Sequence, residues 1–136
     1  MSCVFCAIVA GDIPSRQVHA DEHAVAFLDL APLHRGHTLV VPRRHVDSLL
    51  DGEPAMAEIG DCLDATARLL VDRLDADGLN VVSSAGAVAG QEVFHLHVHL
   101  LPRYADAPGL TNLLGARSAA SEADLDAVHA TVTGRR

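Results

Sequence analysis

Three imidazoles alternate with apolar residues in Phe94-His95-Leu96-His97-Val98-His99-Leu100-Leu101. Side chains alternate across a β-strand, so a strand here puts His95, His97 and His99 on one face. Phe94, Leu96, Val98 and Leu100 take the other face and can anchor it in a core. Imidazoles two residues apart then stand ~7 Å apart on a rigid support, from a rise of ~3.3 Å per residue. Each titrates near neutrality. A merely solvated face draws more often on Thr, Lys, Glu or Ser. Two chemistries suit the array. His-x-His on a strand can present two imidazoles to one zinc, and zinc enzymes often use three histidines. Alternatively, one imidazole attacks phosphorus while a neighbour handles a proton. Spacing alone does not choose between them.

The elements that must hold this segment can be read along the chain. Val4 to Ala10 predicts a short helix stopped by Gly11 in the left-handed position. Strands are expected at 24–28 and 38–42, with Pro and Gly turn signals from Asp29 to Gly36 between them. Pro54 suits a helix start, and Met56, Ile59, Leu63, Leu70 and Leu74 recur on one helical face up to a stop at Gly78. A strand at 79–83, a Gly/Ala loop at 84–90 and a strand at 93–101 ended by Pro102 follow. The stretch from Tyr104 to Ala120 reads as irregular. Ser121, with Asp124 three residues on, caps a last helix through Leu125, Val128 and Val132. Tight turns between strands with few helices predict one α+β domain over 1–136, with an antiparallel sheet of about five strands, a long central helix and short terminal helices.

Bulk composition narrows the function. The 136 residues, 49% of them apolar, suffice for one core. A formal net charge of −8 argues against nonspecific nucleic-acid binding, which needs basic side chains on phosphates. All ten basic residues are Arg. Without Lys there is neither a P-loop nor a lysine Schiff base, so any phosphate must be held by His, Arg or backbone N–H groups. No apolar run approaches the ~20 residues of a membrane span. The first residues lack a signal peptide's basic start and apolar stretch, and a cytoplasmic location is the expectation. Three cysteines are an odd count for a disulfide scaffold. Cys62 falls on the predicted helix as a small buried side chain. Cys3 and Cys6 form a C-x-x-C pair, which by itself could be metal ligands, a redox couple or two idle thiols.

The flanks of the histidine segment decide more than the spacing. Gly90-Gln91-Glu92-Val93-Phe94-His95-Leu96-His97-Val98-His99-Leu100-Leu101-Pro102-Arg103 closely resembles the signature of the histidine triad family. Cys3 to Pro14 is similar to that family's N-terminus in its bacterial-type members. Ala26-Phe27-Leu28-Asp29-Leu30-Ala31-Pro32 and Gly36-His37-Thr38-Leu39-Val40-Val41-Pro42-Arg43-Arg44-His45 are similar to its central strands and turn. The resemblance covers roughly residues 3 to 103, in order, leaving 104–136 as a C-terminal extension.

The resemblance implies a hydrolase or transferase acting at the α-phosphate of a purine nucleotide derivative: a phosphoramidate, an acyl-nucleotide or a dinucleoside polyphosphate. His97 then attacks phosphorus and forms a nucleotidyl-histidine intermediate, and His99 contacts the phosphate or the leaving atom. Asp29 accepts from the ribose hydroxyls, and N–H groups of the Gly90-Gln91 loop hold developing charge. Phe5, Ile8, Phe27 and Leu28 line the base pocket. Ser84 stands near where some relatives place an Asn or Gln on the phosphate, and its side chain reaches less far. Glu92 replaces a frequent Ser or Thr, and pointing into solvent is its expected fate. His37 is expected to support the fold. The resemblance also implies a structural zinc on Cys3, Cys6, His45 and His95, no organic cofactor, and a homodimer with apolar residues of the 54–74 helix in its interface. Three alternatives stay open: a phosphorylase using inorganic phosphate, a hydrolase whose triad binds a catalytic metal, and a nucleotide-binding module without turnover.

Overall fold

The computed structural model describes residues 3–110, 113 and 118–134. Within them the chain runs α1 (Val4–Ala10), β1 (Gln17–Ala20), β2 (Ala24–Leu28), β3 (Thr38–Pro42), α2 (Gly60–Leu74), β4 (Gly78–Val82), β5 (Val98–Arg103) and α3 (Glu122–Thr133). The strands form one antiparallel sheet in the order β1-β2-β3-β5-β4, so the expected α+β architecture is found. None of the described helices is long and apolar enough to cross a membrane.

Period-two alternation sorts the central strands onto two cores. Ala24, Ala26, Leu28, Val40, Val98 and Leu100 face α2 and α3, where Ile59, Cys62, Leu70, Leu74 and Val132 complete one cluster. Val25, Phe27, Leu39 and Val41 face α1 and close on Phe5. Each fully buried Leu, Ile or Phe contributes about 1.5–3 kcal/mol, so both helical layers are held chiefly by burial. Cys62 is fully buried, as its helix position predicts. The face carrying Leu39 also carries its cross-strand partner His99. Functional side chains therefore collect under the short N-terminal helix, on the sheet face opposite α2 and α3.

Several expectations need correction. The histidine strand begins at Val98, not Val93, and continues through Pro102 to Arg103. Its ladder with β3 covers only Val98 to Leu100. Pro102 lies beyond that ladder and pairs on the β4 side alone, which is how a proline is accommodated in the strand. Residues 93–97 bridge instead toward the β3–α2 connection, Leu96 N–H donating to Val46 O at 2.8 Å. Phe94 is 46% exposed rather than a core anchor, whereas Leu96, Val98 and Leu100 are buried.

The long helix starts at Gly60 rather than Pro54. Glu58, Ile59 and Gly60 donate to Ala55, Met56 and Ala57, and these tight three-residue turns reproduce the spacing that reads as helix. Its Ile59, Leu70 and Leu74 are buried in the chain's own core. β1 was not anticipated: Gln17-Val18-His19-Ala20 has one large apolar residue and an irregular register at the sheet edge. The last helix is capped as read, Ser121 Oγ accepting from Asp124 N–H at 3.0 Å. It packs Val132 into the α2 core and is tied to the β1 side by Arg16 on Glu122 and Asp126. In the stretch expected to be irregular, residues 111–112 and 114–117 lie outside the described residues, and the others of 104–120 form neither helix nor strand.

Gly36 carries the turn into β3, at φ +87°. A Cβ there would collide with Leu74 Cδ1 and press on Pro102 Cγ. Gly36→Ala combines left-handed strain with overpacking and is expected to cost about 2–4 kcal/mol, read as a lowered urea midpoint with an unchanged slope.

Candidate active site and adjoining Cys/His cluster

The three triad imidazoles stay on the α1 side of the sheet, although only His99 lies in β5. The Phe5 ring meets His95 and His97 edge-on, at centroid separations of 5.9 and 5.1 Å, and His97 lies 5.0 Å from His99. All three rings are buried. What separates them chemically is the partner each nitrogen has.

A carbonyl oxygen can only accept, so its partner nitrogen must carry the proton. His97 Nδ1 lies 2.8 Å from the His95 carbonyl. It therefore donates, and the neutral ring's lone pair sits on Nε2. Ser83 Oγ donates at 2.8 Å to the carbonyl of His97 itself, pinning the backbone that carries the ring. His99 is set one step further out. Leu33 N–H donates to His37 Nδ1 at 3.1 Å, which leaves the proton of that ring on Nε2. His37 Nε2–H then donates to His99 Nδ1 at 2.9 Å, so His99 carries its own proton on Nε2. Asp29 Oδ2 lies 3.6 Å from the same His37 Nε2. Asp29 Oδ1 accepts from Ala31 N–H at 2.8 Å, the turn role open to any Asp here. Adjacent rings thus present a lone pair on His97 and an N–H on His99, the complementary pair that nucleophilic displacement needs.

Both rings line a cleft of about 250 Å³ whose walls include Phe5, Ile8, Phe27, Leu28, Asp29 and Glu92. The four expected base-pocket residues and Asp29 are thus brought together with His97 and His99. Gly90 also reaches the cleft, its φ of +101° closing the loop turn. Two expected residues are not among the lining. Gln91 is buried and its amide is committed within the protein: Oε1 accepts from Gly86 N–H at 2.8 Å, and Nε2 donates to the carbonyls of Asp47 and Val93. Ser84 stands behind Gly90. Glu92 is exposed as expected, yet it also forms part of the cleft wall.

His95 turns away from this cleft. Its Nε2 donates to the Pro42 carbonyl at 2.9 Å, so its lone pair is on Nδ1. His45 Nε2 lies 2.8 Å from the Asp47 carboxylate and donates to it, so its lone pair is on Nδ1 as well. These two lone pairs face each other at 3.1 Å, with Cys3 Sγ 3.4 Å and Cys6 Sγ 3.5 Å from His95 Nδ1 and Cys6 Sγ 3.3 Å from His45 Nδ1. Two acceptors at that distance make no hydrogen bond, but they do make one edge of a ligand polyhedron. Metal–nitrogen bonds of ~2.0–2.1 Å and metal–sulfur bonds of ~2.3 Å give tetrahedral edges of roughly 3.3–3.8 Å. The four donor atoms all lie within 4.8 Å of one another. Outer N–H groups on a carbonyl and a carboxylate are the usual support of ligating histidines. Burial holds the His95 imidazole below its ordinary range, so it stays neutral as a ligand must. Burial, and Cys3 alongside, push the Cys6 thiol up; a divalent cation among the donors reverses this and takes the thiols as thiolates. The residues fit a tetrahedral metal ion. Because His95 belongs to this group and His99 to a separate one with Asp29 and His37, the triad rings do not form a single ligand set among the described residues.

His37, Ser83 and Asp47 escaped the sequence reading as site residues. His37 and Ser83 act through partners remote in sequence, His99 and His97, whereas Asp47 acts through its near neighbour His45; His37 carried only the weak signal of being one histidine in the block before β3.

Comparison with known proteins places this architecture. The HIT domain family model matches residues 10–106. "Protein hit" of Bacillus subtilis is 41% identical over 109 residues, 79% of this chain and 75% of that protein. The crystal structure of a zinc-bound histidine triad family protein from Mycobacterium smegmatis superposes with a TM-score of 0.78 at 37% identity, over 98% of this chain and 95% of that one. The plant protein Adenylylsulfatase HINT3 of Arabidopsis thaliana is 33% identical over 102 residues, 74% of this chain and 52% of its own length. The chain belongs to the HIT domain family.

Gln91 ties Asp47 to the 86–93 segment that leads into the histidine segment. Gln91→Ala removes three buried hydrogen bonds and is expected to cost about 2–4 kcal/mol, seen as a fall in melting temperature. Gln91→Glu keeps the shape but loses the amide donors to Asp47 and Val93, and should recover little of that loss.

Proposed function

We propose that the chain is a nucleotide hydrolase or transferase that acts at the α-phosphate of a purine nucleotide derivative through a covalent intermediate on His97. The observation that carries this reading is the split of protons between neighbouring rings: Nδ1–H of His97 on the His95 carbonyl, and Nε2–H of His99 maintained by His37. Support also comes from the family assignment, and from a relative that bears an adenylylsulfatase name.

In the proposed cycle the base lies against Phe27, Leu28 and Ile8, and Asp29 accepts from the ribose hydroxyls. His97 Nε2 attacks phosphorus with its lone pair as the bond to the leaving atom breaks. The leaving group departs with that electron pair, guided by the His99 Nε2–H, and takes a proton from solvent. Water then attacks the nucleotidyl-histidine; the phosphorus–nitrogen bond breaks, its electron pair returns to Nε2, and the proton of water goes back to solvent. Gly90 lets the loop backbone approach the phosphate closely. Release of AMP from an adenosine phosphoramidate is the overall reaction.

Zinc on Cys3, Cys6, His45 and His95 is proposed as a structural element. Bound there, it supplies no chemistry to substrate; it joins α1, which carries Phe5, to the segment bearing the nucleophile. Metal analysis should find about one zinc per chain, and Cys6→Ala should lose it with a lowered melting temperature. A chelator is expected to lower stability while residual folded protein still turns over; immediate loss of chemistry with stability unchanged would favour a catalytic metal.

The deciding measurement for the reaction is rapid-quench intact mass spectrometry near neutral pH with an adenosine phosphoramidate. A transient gain of one adenylyl group that is absent in His97→Ala is the expected result, with turnover reduced by at least about 10³-fold in the variant. Equal AMP release by both proteins would remove His97 as nucleophile.

A further inference from the structure

The cleft is built for phosphate chemistry yet contains two carboxylates, Asp29 and Glu92, and none of the described arginines lines it. The chain has no lysine to substitute. The described arginines are used elsewhere. Arg16 bonds Glu122 and Asp126, Arg44 bonds Glu58, and Arg103 is buried on Asn80 and the Ala107 carbonyl. Arg43 donates to the Asp21 carbonyl, Arg68 and Arg73 lie beside Asp64 and Asp72, and Arg35 lines a separate cavity under α3. The α-phosphate can be met by neutral donors, the His99 N–H and the loop backbone around Gly90. On the Glu92 side none of the described arginines lines the cleft or the depression beside it, so further phosphates there would meet none of them, although Arg and Lys are the groups proteins ordinarily set against phosphate.

The two carboxylates adjoin different neighbouring cavities. Asp29 also borders the cavity under α3, with Pro32 and Arg35. Glu92 also borders the depression over the Cys/His cluster, with Val4, Asp47 and Phe94. His97 and His99 lie in the cleft that spans the two. With ribose on Asp29, the group leaving from phosphorus departs toward Glu92.

We propose that Glu92 is a specificity determinant for the leaving group, selecting substrates whose α-phosphate carries an amine with a second, cationic amino group and disfavouring polyphosphate leaving groups. This rests on the α-phosphate reaction proposed above. Glu92 is exposed, so its field acts through partly screened solvent; the effect is a preference rather than an absolute block. It acts on the leaving group alone, since that is the part of the substrate on its side of the cleft.

The test compares kcat/KM for three substrates: the adenosine phosphoramidates of diaminopropane and of butylamine, which are nearly isosteric and differ by one ammonium, and diadenosine tetraphosphate. Wild type is expected to prefer the diamine over butylamine by about three- to tenfold at low salt, with the ratio shrinking as ionic strength rises. Glu92→Gln should bring that ratio close to one, and Glu92→Lys should invert it and raise the relative rate on the tetraphosphate. A diamine-to-butylamine ratio that is the same in all three proteins overturns the proposal. Dissociation constants of non-cleavable sulfamoyl analogues of the two amidates are measured alongside. If no substrate turns over but the binding ratio follows residue 92, the reaction reading fails and the selectivity stands. If binding and turnover ratios both ignore residue 92, Glu92 is not a determinant.

Discussion

Backbone carbonyls decide what two of the three triad histidines do, and a buried imidazole decides the third. The Pro42 carbonyl takes the Nε2–H of His95 and turns its Nδ1 toward the cysteines. The His95 carbonyl takes the Nδ1–H of His97 and leaves the lone pair on Nε2. Three chemically identical side chains on an alternating segment would otherwise share one tautomeric equilibrium. The contacts break that equivalence at the cost of no additional charged group, because a carbonyl is an acceptor whatever the pH.

The irregular backbone at 93–97 is the means. Had β5 run from Val93, His95 would be a ladder residue, and its flank would be occupied by pairing with β3. Because the ladder stops at Val98, Pro42 O at the end of β3 is reached by a side chain and Leu96 N–H is directed to Val46. The Cys/His group, with α1 attached, grows from this departure. Phe5 sits on α1 between both centres, packing on Phe27 and on the rings of His95 and His97. The Cys/His group and His97 are thus mechanically adjacent without sharing a side chain.

His37 extends the same logic across the sheet. Burial removes it from solvent, so its proton position is dictated by Leu33 N–H on one side and His99 on the other. A side chain that reads as scaffold in sequence thereby orients His99, and its proximity to Asp29 links that end of the cleft to the ring. In the same cleft Glu92 stands where the resemblance leads one to expect a hydroxyl, which adds a carboxylate to the wall without altering the contacts of His97 and His99.

Alternation and motif alone determined a great deal: His97 beside His99 on one sheet face, Leu96, Val98 and Leu100 in the core, the α1 stop at Gly11, the Ser121 cap, and the Cys3, Cys6, His45 and His95 set. The first four depend on local periodicity or on residue types whose spacing is itself the signal, and the Cys/His set depends on the family resemblance. Tertiary structure alone decided the rest. The strand limits at Val98 and Arg103 follow from where neighbouring ladders end, and the true start of α2 from tight turns that mimic helical spacing. The unanticipated edge strand β1 is stabilised by its pairing with β2 rather than by its own pattern. The tautomer of His95 depends on the Pro42 carbonyl and that of His99 on His37, both far away in the chain, while those of His37 and His45 depend on how the local turns bring Leu33 N–H and the Asp47 carboxylate onto the rings. A proton's position is set by what lies within ~3 Å of the nitrogen, and no one-dimensional pattern carries that distance.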